Sequence, residues 1–307
     1  MLELDDQKVR DLELKATEIR ETIIEALVTA GSGHTAGPLG MADIFTALYF
    51  HILKHDSKRP DWPDRDRLVL SNGHICPVLY SAMAHAGYFP VDEYKKTLRK
   101  FGTRFQGHPH REFMKEVETS SGPLGSGLSQ AVGMALAERI DNGKTTDNFF
   151  YCLTGDGELD CGQIWEAAML AGKEKIGNLI VIIDRNNIQI DGFTEDIMPL
   201  EPLRAKWEAF NFHVQEINGH NFREIINSVE EAKAIFNKPS AIIAHTIPSK
   251  GIPEFERQFE WHGNPPGKGP ENVVPKDKQV EVALKELRTL KGFIKNEHEM
   301  DGHGSII

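Results

Sequence analysis

Asp156 stands between two glycines in LTGDGELDCG (153–162), directly after the apolar run FFYCL (149–153). A carboxylate at a strand end is either a turn residue or a ligand for something positive. A second polar loop, RNN at 185–187, follows a second apolar run, LIVIID at 179–184. Residues 158–185 lie between Gly157 and Asn186, enough for one crossover helix with its connections. Two parallel strands joined in this way bring their carboxyl ends to one edge, where open parallel sheets bind ligands. Asp156 and Asn186 therefore converge, offering one carboxylate and one amide oxygen. Hard oxygens of this kind suit Mg²⁺, which keeps further positions for water and ligand phosphates. Gly155 and Gly157 let the backbone approach a diphosphate closely. A lone GDG is ordinarily a turn, and so is a lone NN. The pair at this spacing, each at a strand end, favours a metal that holds a diphosphate.

The elements that must position these loops show in the apolar pattern. Leu12, Ala16, Ile19, Ile23 and Leu27 recur at helical steps and stop at Gly31-Ser32-Gly33, which predicts a long first helix. A second stripe runs Met41, Ile44, Leu48, Ile52. LVL (68–70) reads as a strand leading to Asn72-Gly73-His74, with a helix through Ala86 and another over about 127–140. Strands at 149–154, 179–184, 212–217 and 240–246 then alternate with helices at 163–172, 199–210 and 221–236. Such alternation predicts an α/β fold of three layers, a parallel sheet with helices on both faces. Residues 248–275 are rich in Gly and Pro and read as an irregular loop, either a solvated connector or a lid over the pocket. A charged helix follows over 276–295, and the tail MDGHGSII is expected to be disordered.

Composition sets outer bounds. At 307 residues, 40% hydrophobic and 26% charged, the chain can bury a sizeable core. The net charge of −11 argues against a general nucleic-acid partner, though not against local basic pockets for phosphate. No apolar run reaches membrane length, and the acidic N-terminus is unlike a signal peptide, so no membrane association is expected. Cys76, Cys152 and Cys161 show neither metal nor disulfide spacing, which favours a reducing compartment and a cytoplasmic location.

GDG, a spacer of this length, then N or NN is also the pattern of thiamine-diphosphate enzymes. The segment GDGELDCGQIWEAAMLAGKEKIGNLIVIIDRNNIQIDG (155–192) resembles the cofactor segment of transketolase. SGHTAGPLGMADI (32–44), RDRLVLSNGH (65–74), FQGHPH (105–110), GPLGSGLSQAVGMALA (122–137) and FEWHGNPPG (259–267) resemble further transketolase motifs, in the family's order. The likeness spans about residues 10–275. It implies the thiamine-diphosphate-binding fold, with residues 1–275 as a diphosphate-binding domain and 276–307 as an appended helix and tail.

The resemblance also implies roles. Mg²⁺, with Ca²⁺ or Mn²⁺ able to substitute, would rest on the Asp156 carboxylate, the Asn186 side chain and the Ile188 main-chain oxygen. Gly157 would offer its N–H to the diphosphate. Gly122, Leu124 and Ile190 would pack against the cofactor. His34 and His262 would serve donor hydroxyls and proton transfer, His262 also lying at the cofactor. His74 would sit near the diphosphate or the reacting oxygen, and His108 would bind the terminal hydroxyl of the transferred unit. Imidazole suits such work because it can donate, accept or carry charge near pH 7. Glu166 matches one member of an acidic network that joins two cofactor sites. Cys161 stands where that network usually has another glutamate, and reads as a small buried residue. Thr35 stands where the family often has proline.

A full transketolase continues into a pyrimidine-binding domain, which supplies the glutamate that activates the cofactor and most ligands for the substrate phosphate. The resemblance thus implies the N-terminal subunit of a split transketolase, joined with a C-terminal subunit in an α₂β₂ assembly. Together they would transfer a two-carbon ketol unit from a ketose phosphate to an aldose phosphate, as in the pentose phosphate pathway. Two alternatives stay open: a specialised ketolase for a branched or sulfonated sugar, and a non-catalytic module that holds cofactor and regulates. A nicotinamide site is disfavoured, because no GxGxxG follows a strand.

Overall fold

The computed structural model describes residues 4–142 and 146–301. Helix α1 (Asp6–Ala30) buries Leu12, Ala16, Ile19, Ile23 and Leu27, the predicted stripe. The Asp5 carboxylate caps its start by accepting from the Lys8 N–H at 2.6 Å. Gly31 ends it in the left-handed region at φ 63°, a conformation glycine adopts without strain. The stripe from Met41 to Ile52 does not form one helix. Helix α2 (Ala36–Gly40) stops at Met41, α3 (Ala42–Ala47) follows, and residues 48–52 widen into a π-turn closed by Leu53 N–H to Leu48 O at 2.8 Å.

Strand β1 (Arg67–Leu70) leads through a 3₁₀ turn at 73–75 into α4 (Cys76–His85), α5 (Val91–Thr97) and α6 (Ser126–Asn142). Then come β2 (Phe150–Gly155), α7 (Gly162–Glu174) and β3 (Leu179–Arg185). A hairpin of β4 (Ile188–Gln189) and β5 (Gly192–Phe193) precedes the short α8 (Thr194–Ile197) and α9 (Leu203–Ala209). Strand β6 (His213–Asn218), α10 (Phe222–Ala234), β7 (Ser240–His245) and α11 (Lys276–Asp301) complete the order. The expected disordered tail lies, beyond Asp301, outside the described residues.

Five strands make one sheet in the order β1-β2-β3-β7-β6, and every pairing in it is parallel. Alternate side chains enter two separate cores. Tyr151, Leu153, Ile180, Ile182 and Ile242 pack under α1, α3, α4 and α10; Phe150, Cys152, Val181, Ile183 and Ile243 pack under α6, α7 and α9. Steps from β1 to β2 to β3 to β6 run one way across the sheet, and the step from β6 to β7 runs back. That reversal places α10 on the face opposite α7 and α9, as crossovers of constant hand demand. Helix α11 packs along α1.

Segment 246–275 is irregular, as its composition predicts, but it is anchored rather than loosely solvated. Ile252, Phe255 and Trp261 are buried, and Phe255 stacks on Trp261 with ring centroids 3.7 Å apart. A buried ionic cluster fixes where this segment leaves the sheet. Arg20 donates to both oxygens of Asp43 (3.0 and 2.6 Å) and to Leu39 O (3.1 Å). His220 accepts from the Ile247 N–H at 2.7 Å, which leaves its other nitrogen to donate to Asp43 at 2.7 Å.

Burial alone would raise the Asp43 carboxyl, but Arg20 and His220 hold it down at about 2. A depressed carboxyl stabilises the fold above its unfolded value of 3.8, and the contribution fades as pH falls toward 2. Asp43→Ala is expected to cost about 3–5 kcal/mol in urea unfolding at pH 7, because Arg20 stays buried without its partner. The deficit is expected to narrow at pH 2–3; a variant as stable as the parent at pH 7 would refute it.

Candidate active site

Strands β2 and β3 end in register. Gly155 pairs with Asp184, and the Asp156 N–H donates to Asp184 O at 3.1 Å. The two loops singled out in the sequence therefore lie side by side. The Asp156 carboxylate is buried; one oxygen accepts from the Asn187 N–H (2.6 Å) and from Arg185 (3.4 Å), the other from the Gly157 N–H (2.8 Å). Asn186 donates to Asp184 at 2.8 Å and accepts from the Ile188 N–H at 3.0 Å. Arg185 is shared with Thr194 (2.8 Å), Glu195 (2.8 Å) and Glu201 (3.0 Å), so the segment after β5 is tied to the same point.

Burial pushes Asp156 up to about 6, although Arg185 opposes the rise. Burial and the neighbouring Asp156 raise Asp184 as well. Asp156 and Asp184 are both buried, and of the two only Asp156 is paired with Arg185, while Asp184 is held by Thr246 and Asn186; the pair is short of positive charge, and a divalent cation would supply it. Among the described residues no group of three His, Cys, Asp or Glu side chains gathers into a metal site. A cation here could be held only by a mixed set of carboxylate, amide and main-chain oxygens, the set that suits Mg²⁺.

Glu158, which the motifs do not single out, organises the surrounding loops. It accepts from the Gly125 N–H at 2.7 Å, from the Gly155 N–H at 3.1 Å and from the Ser71 hydroxyl. Ser71 in turn accepts from the Gly127 N–H at 3.1 Å. Three loops, from β1, from β2 and before α6, are thus pinned on one buried carboxylate. Burial raises that carboxyl, while Ser71 and the two backbone donors oppose the rise.

The four histidines meet across the same sheet edge. The rings of His34, His74 and His262 form a triangle with centroids 4.9, 5.2 and 5.5 Å apart. His108 lines the same cleft from the loop before Ser121. Burial is the main cause that lowers all four: His34 to about 3, His262 to about 4, His74 well below its ordinary value, and His108 in the same direction. His262, the Arg99 guanidinium and His108 add to this at His34, and Arg99 adds to it at His108. All are neutral at physiological pH. The Nδ1 atoms of His34 and His262 are buried with no hydrogen-bond partner. Thr35 is not a neutral change here: its hydroxyl donates to Asn264 O at 2.7 Å and ties the His34 loop to the His262 loop, which a proline could not do.

A cleft of about 420 Å³ gathers these four histidines with Gly122, Leu124, Asp156, Gly157, Asn186, Ile188 and Ile190. Ile188 is buried, whereas Leu124 (39%) and Ile190 (66%) stand partly in solvent on the cleft wall. The Gly157 N–H, expected to face a diphosphate, here donates to Asp156. Glu166 is not brought to the cleft; it is exposed on the outer side of α7. Cys161 is half-buried at the start of α7, where a methyl on Gly125 would meet its Cβ at 2.8 Å. Burial and the nearby Glu158 and Asp160 raise its thiol, which disfavours the thiolate form.

Residues 13–279 match the family described as transketolase, thiamine diphosphate binding domain. The chain is 45% identical over 259 residues to the 6-deoxy-6-sulfo-D-fructose transketolase subunit SqwG of Clostridium sp. (strain MSTE9), covering 84% of this chain and 92% of that one. It is 40% identical over 280 residues to an apulose-4-phosphate transketolase subunit of Actinobacillus succinogenes, covering 91% and 96%. Among solved structures, transketolase from Leishmania mexicana superposes with a TM-score of 0.78 at 33% identity, over 94% of this chain and 46% of that chain. The chain thus spans about half the length of that solved transketolase and nearly all of the two subunits. A sheet edge carrying GDG, the Asn186 loop and the histidine cluster, within a matched segment that includes nearly the whole sheet and its helices, leads to one conclusion: this chain belongs to the transketolase family, as its thiamine diphosphate binding part.

Proposed function

We propose that this chain is the N-terminal subunit of a split transketolase, binding thiamine diphosphate through Mg²⁺ and acting with a separate pyrimidine-domain subunit in an α₂β₂ assembly in the cytoplasm. The observation that carries this reading is the convergence of Asp156, the Asn186–Ile188 loop and three histidine rings in one cleft. When bound, thiamine diphosphate supplies the electron sink for breaking and making the bond beside a ketose carbonyl. The chain's own residues do the rest. Asp156 and the oxygens of Asn186 and Ile188 would hold the cation. Gly122, Leu124 and Ile190 give the cofactor an apolar wall. Neutral His34, His74 and His262 bind sugar hydroxyls and move protons at the oxygens whose charge changes, and His108 orients the transferred two-carbon unit. The segment carrying His262 brings that ring into the cleft. Glu166, exposed on α7, is open to a neighbouring subunit, and Cys161, at the start of α7, cannot share a proton as a glutamate would.

No helix among the described residues is long and apolar enough to cross a membrane. The relatives named for 6-deoxy-6-sulfo-D-fructose and for apulose-4-phosphate favour a specialised substrate over the general pentose phosphate exchange. Both names describe a sugar that carries an anionic group, a sulfonate in one and a phosphate in the other. The test is reconstitution: chain, pyrimidine-domain subunit, Mg²⁺ and thiamine diphosphate, with a donor panel that includes both sugars and ordinary ketose phosphates. Two-carbon transfer that needs both subunits is expected. No transfer with any donor and acceptor pair would overturn the proposal.

A further inference from the structure

Asn72 lies at the end of β1, fully buried, and neither its amide nitrogen nor its amide oxygen has a hydrogen-bond partner. Asparagine at a strand-to-helix turn usually spends its side chain on nearby backbone groups. Here the backbone is satisfied without it: the Asn72 N–H reaches Leu153 O (3.4 Å), and its carbonyl accepts from the Ile75 N–H (3.0 Å). The adjacent Ser71 and Glu158 are occupied with Gly125, Gly127 and Gly155. A buried amide left with nothing to bond is costly and rare, so it calls for a missing partner.

The position says what that partner is. Asn72 lines the cleft, and a methyl placed on Gly155 would lie 3.8 Å from its amide nitrogen. The amide therefore sits against the GDG turn. An amide nitrogen carries two N–H donors, which suit an oxyanion. We infer that Asn72 donates its side-chain N–H groups to the diphosphate of the cofactor, a binding residue additional to the cation ligands and the histidines; this rests on the thiamine diphosphate reading above.

The test is calorimetric titration of the full chain with thiamine diphosphate and, separately, with inorganic pyrophosphate, both with Mg²⁺. Asn72→Asp keeps the shape but replaces the donors with charge, so affinity for both ligands is expected to fall about 100-fold or more. Asn72→Leu keeps the volume without polar atoms; affinity is expected to fall about 10- to 100-fold, while the ligand-free melting temperature holds or rises because the unpaired amide is gone. Unchanged affinity in Asn72→Asp overturns the inference. So does loss for thiamine diphosphate with pyrophosphate binding intact, since the contact would then lie elsewhere on the cofactor. If Asn72→Leu does not fold, Asn72→Ala replaces it in the same titrations with the same criterion. Parent chain that binds no thiamine diphosphate fails the cofactor reading itself, a result distinct from parent and variants binding equally.

Discussion

The Asp156→Ala chain is expected to fold and to lose Mg²⁺-dependent binding of thiamine diphosphate by roughly 1000-fold, since even residues behind a metal ligand are worth 10- to 100-fold. Folding survives because the buried carboxylate is a burden to the fold whenever no cation is bound. Burial raises it to about 6 against the pull of Arg185, so its ionised form is disfavoured in the fold. For a raised carboxyl, the penalty is absent below 3.8, grows as pH rises through about 6, and is constant above. Without Mg²⁺ the variant is thus expected to match or exceed the parent in melting temperature at pH 8, less the two backbone bonds from Gly157 and Asn187. Mg²⁺ requires the ionised carboxylate, so its binding weakens as pH falls below about 6. Added Mg²⁺ is expected to raise the parent's melting temperature more at pH 8 than at pH 5 and to leave the variant unmoved. Calorimetry showing equal cofactor affinity in parent and variant would remove Asp156 from the cation site.

Asp156 and Asn186 were legible because strand order and chain direction follow from alternating apolar runs, and the carboxyl edge of a parallel sheet is the binding edge. Asp184 was not, because as the last residue of LIVIID it reads as a strand end. Only the register with Gly155 brings it beside Asp156. Glu158 was hidden for a different reason: two of its donors are backbone N–H groups, which leave no mark on residue type. Asn72 falls within a motif but gains no role from it, since an unpaired amide is a property of surroundings, not of spacing. Helix α5 escaped because only Tyr94 of its residues is buried, so no stripe appears. The change of backbone within Met41 to Ile52 leaves no mark on the apolar stripe, because burial all around α3 keeps the apolar period while the backbone changes its hydrogen-bond step. The histidines were found only through resemblance; their convergence comes from four separate segments of the chain.

His262→Ala and His34→Ala, each in the assembled enzyme, are expected to lower kcat/KM about 100- to 1000-fold, the usual reach of a positioned proton-transfer group. The structure says how these rings are prepared. Three sit within 5.5 Å of one another, so protonating one makes protonating the next harder. Burial, then His262, then Arg99 and His108 drive His34 down to about 3. A neutral ring keeps both a donor and an acceptor, which a sugar hydroxyl losing or gaining a proton requires. Removing His262 takes away one neighbour and opens the site to water, so His34 is expected to move up toward 6.5, as a shifted imidazole titration in NMR spectra of the chain alone. The same depression has a stability sign. Below 6.5 the unfolded chain binds protons that the folded cluster refuses, so stability is full above 6.5 and is lost as pH falls toward 3 to 4. The His262→Ala chain is expected to lose less over that interval. An unmoved His34 titration would show that the rings do not feel each other, and kcat/KM within about threefold of the parent in both variants would remove them from the chemistry.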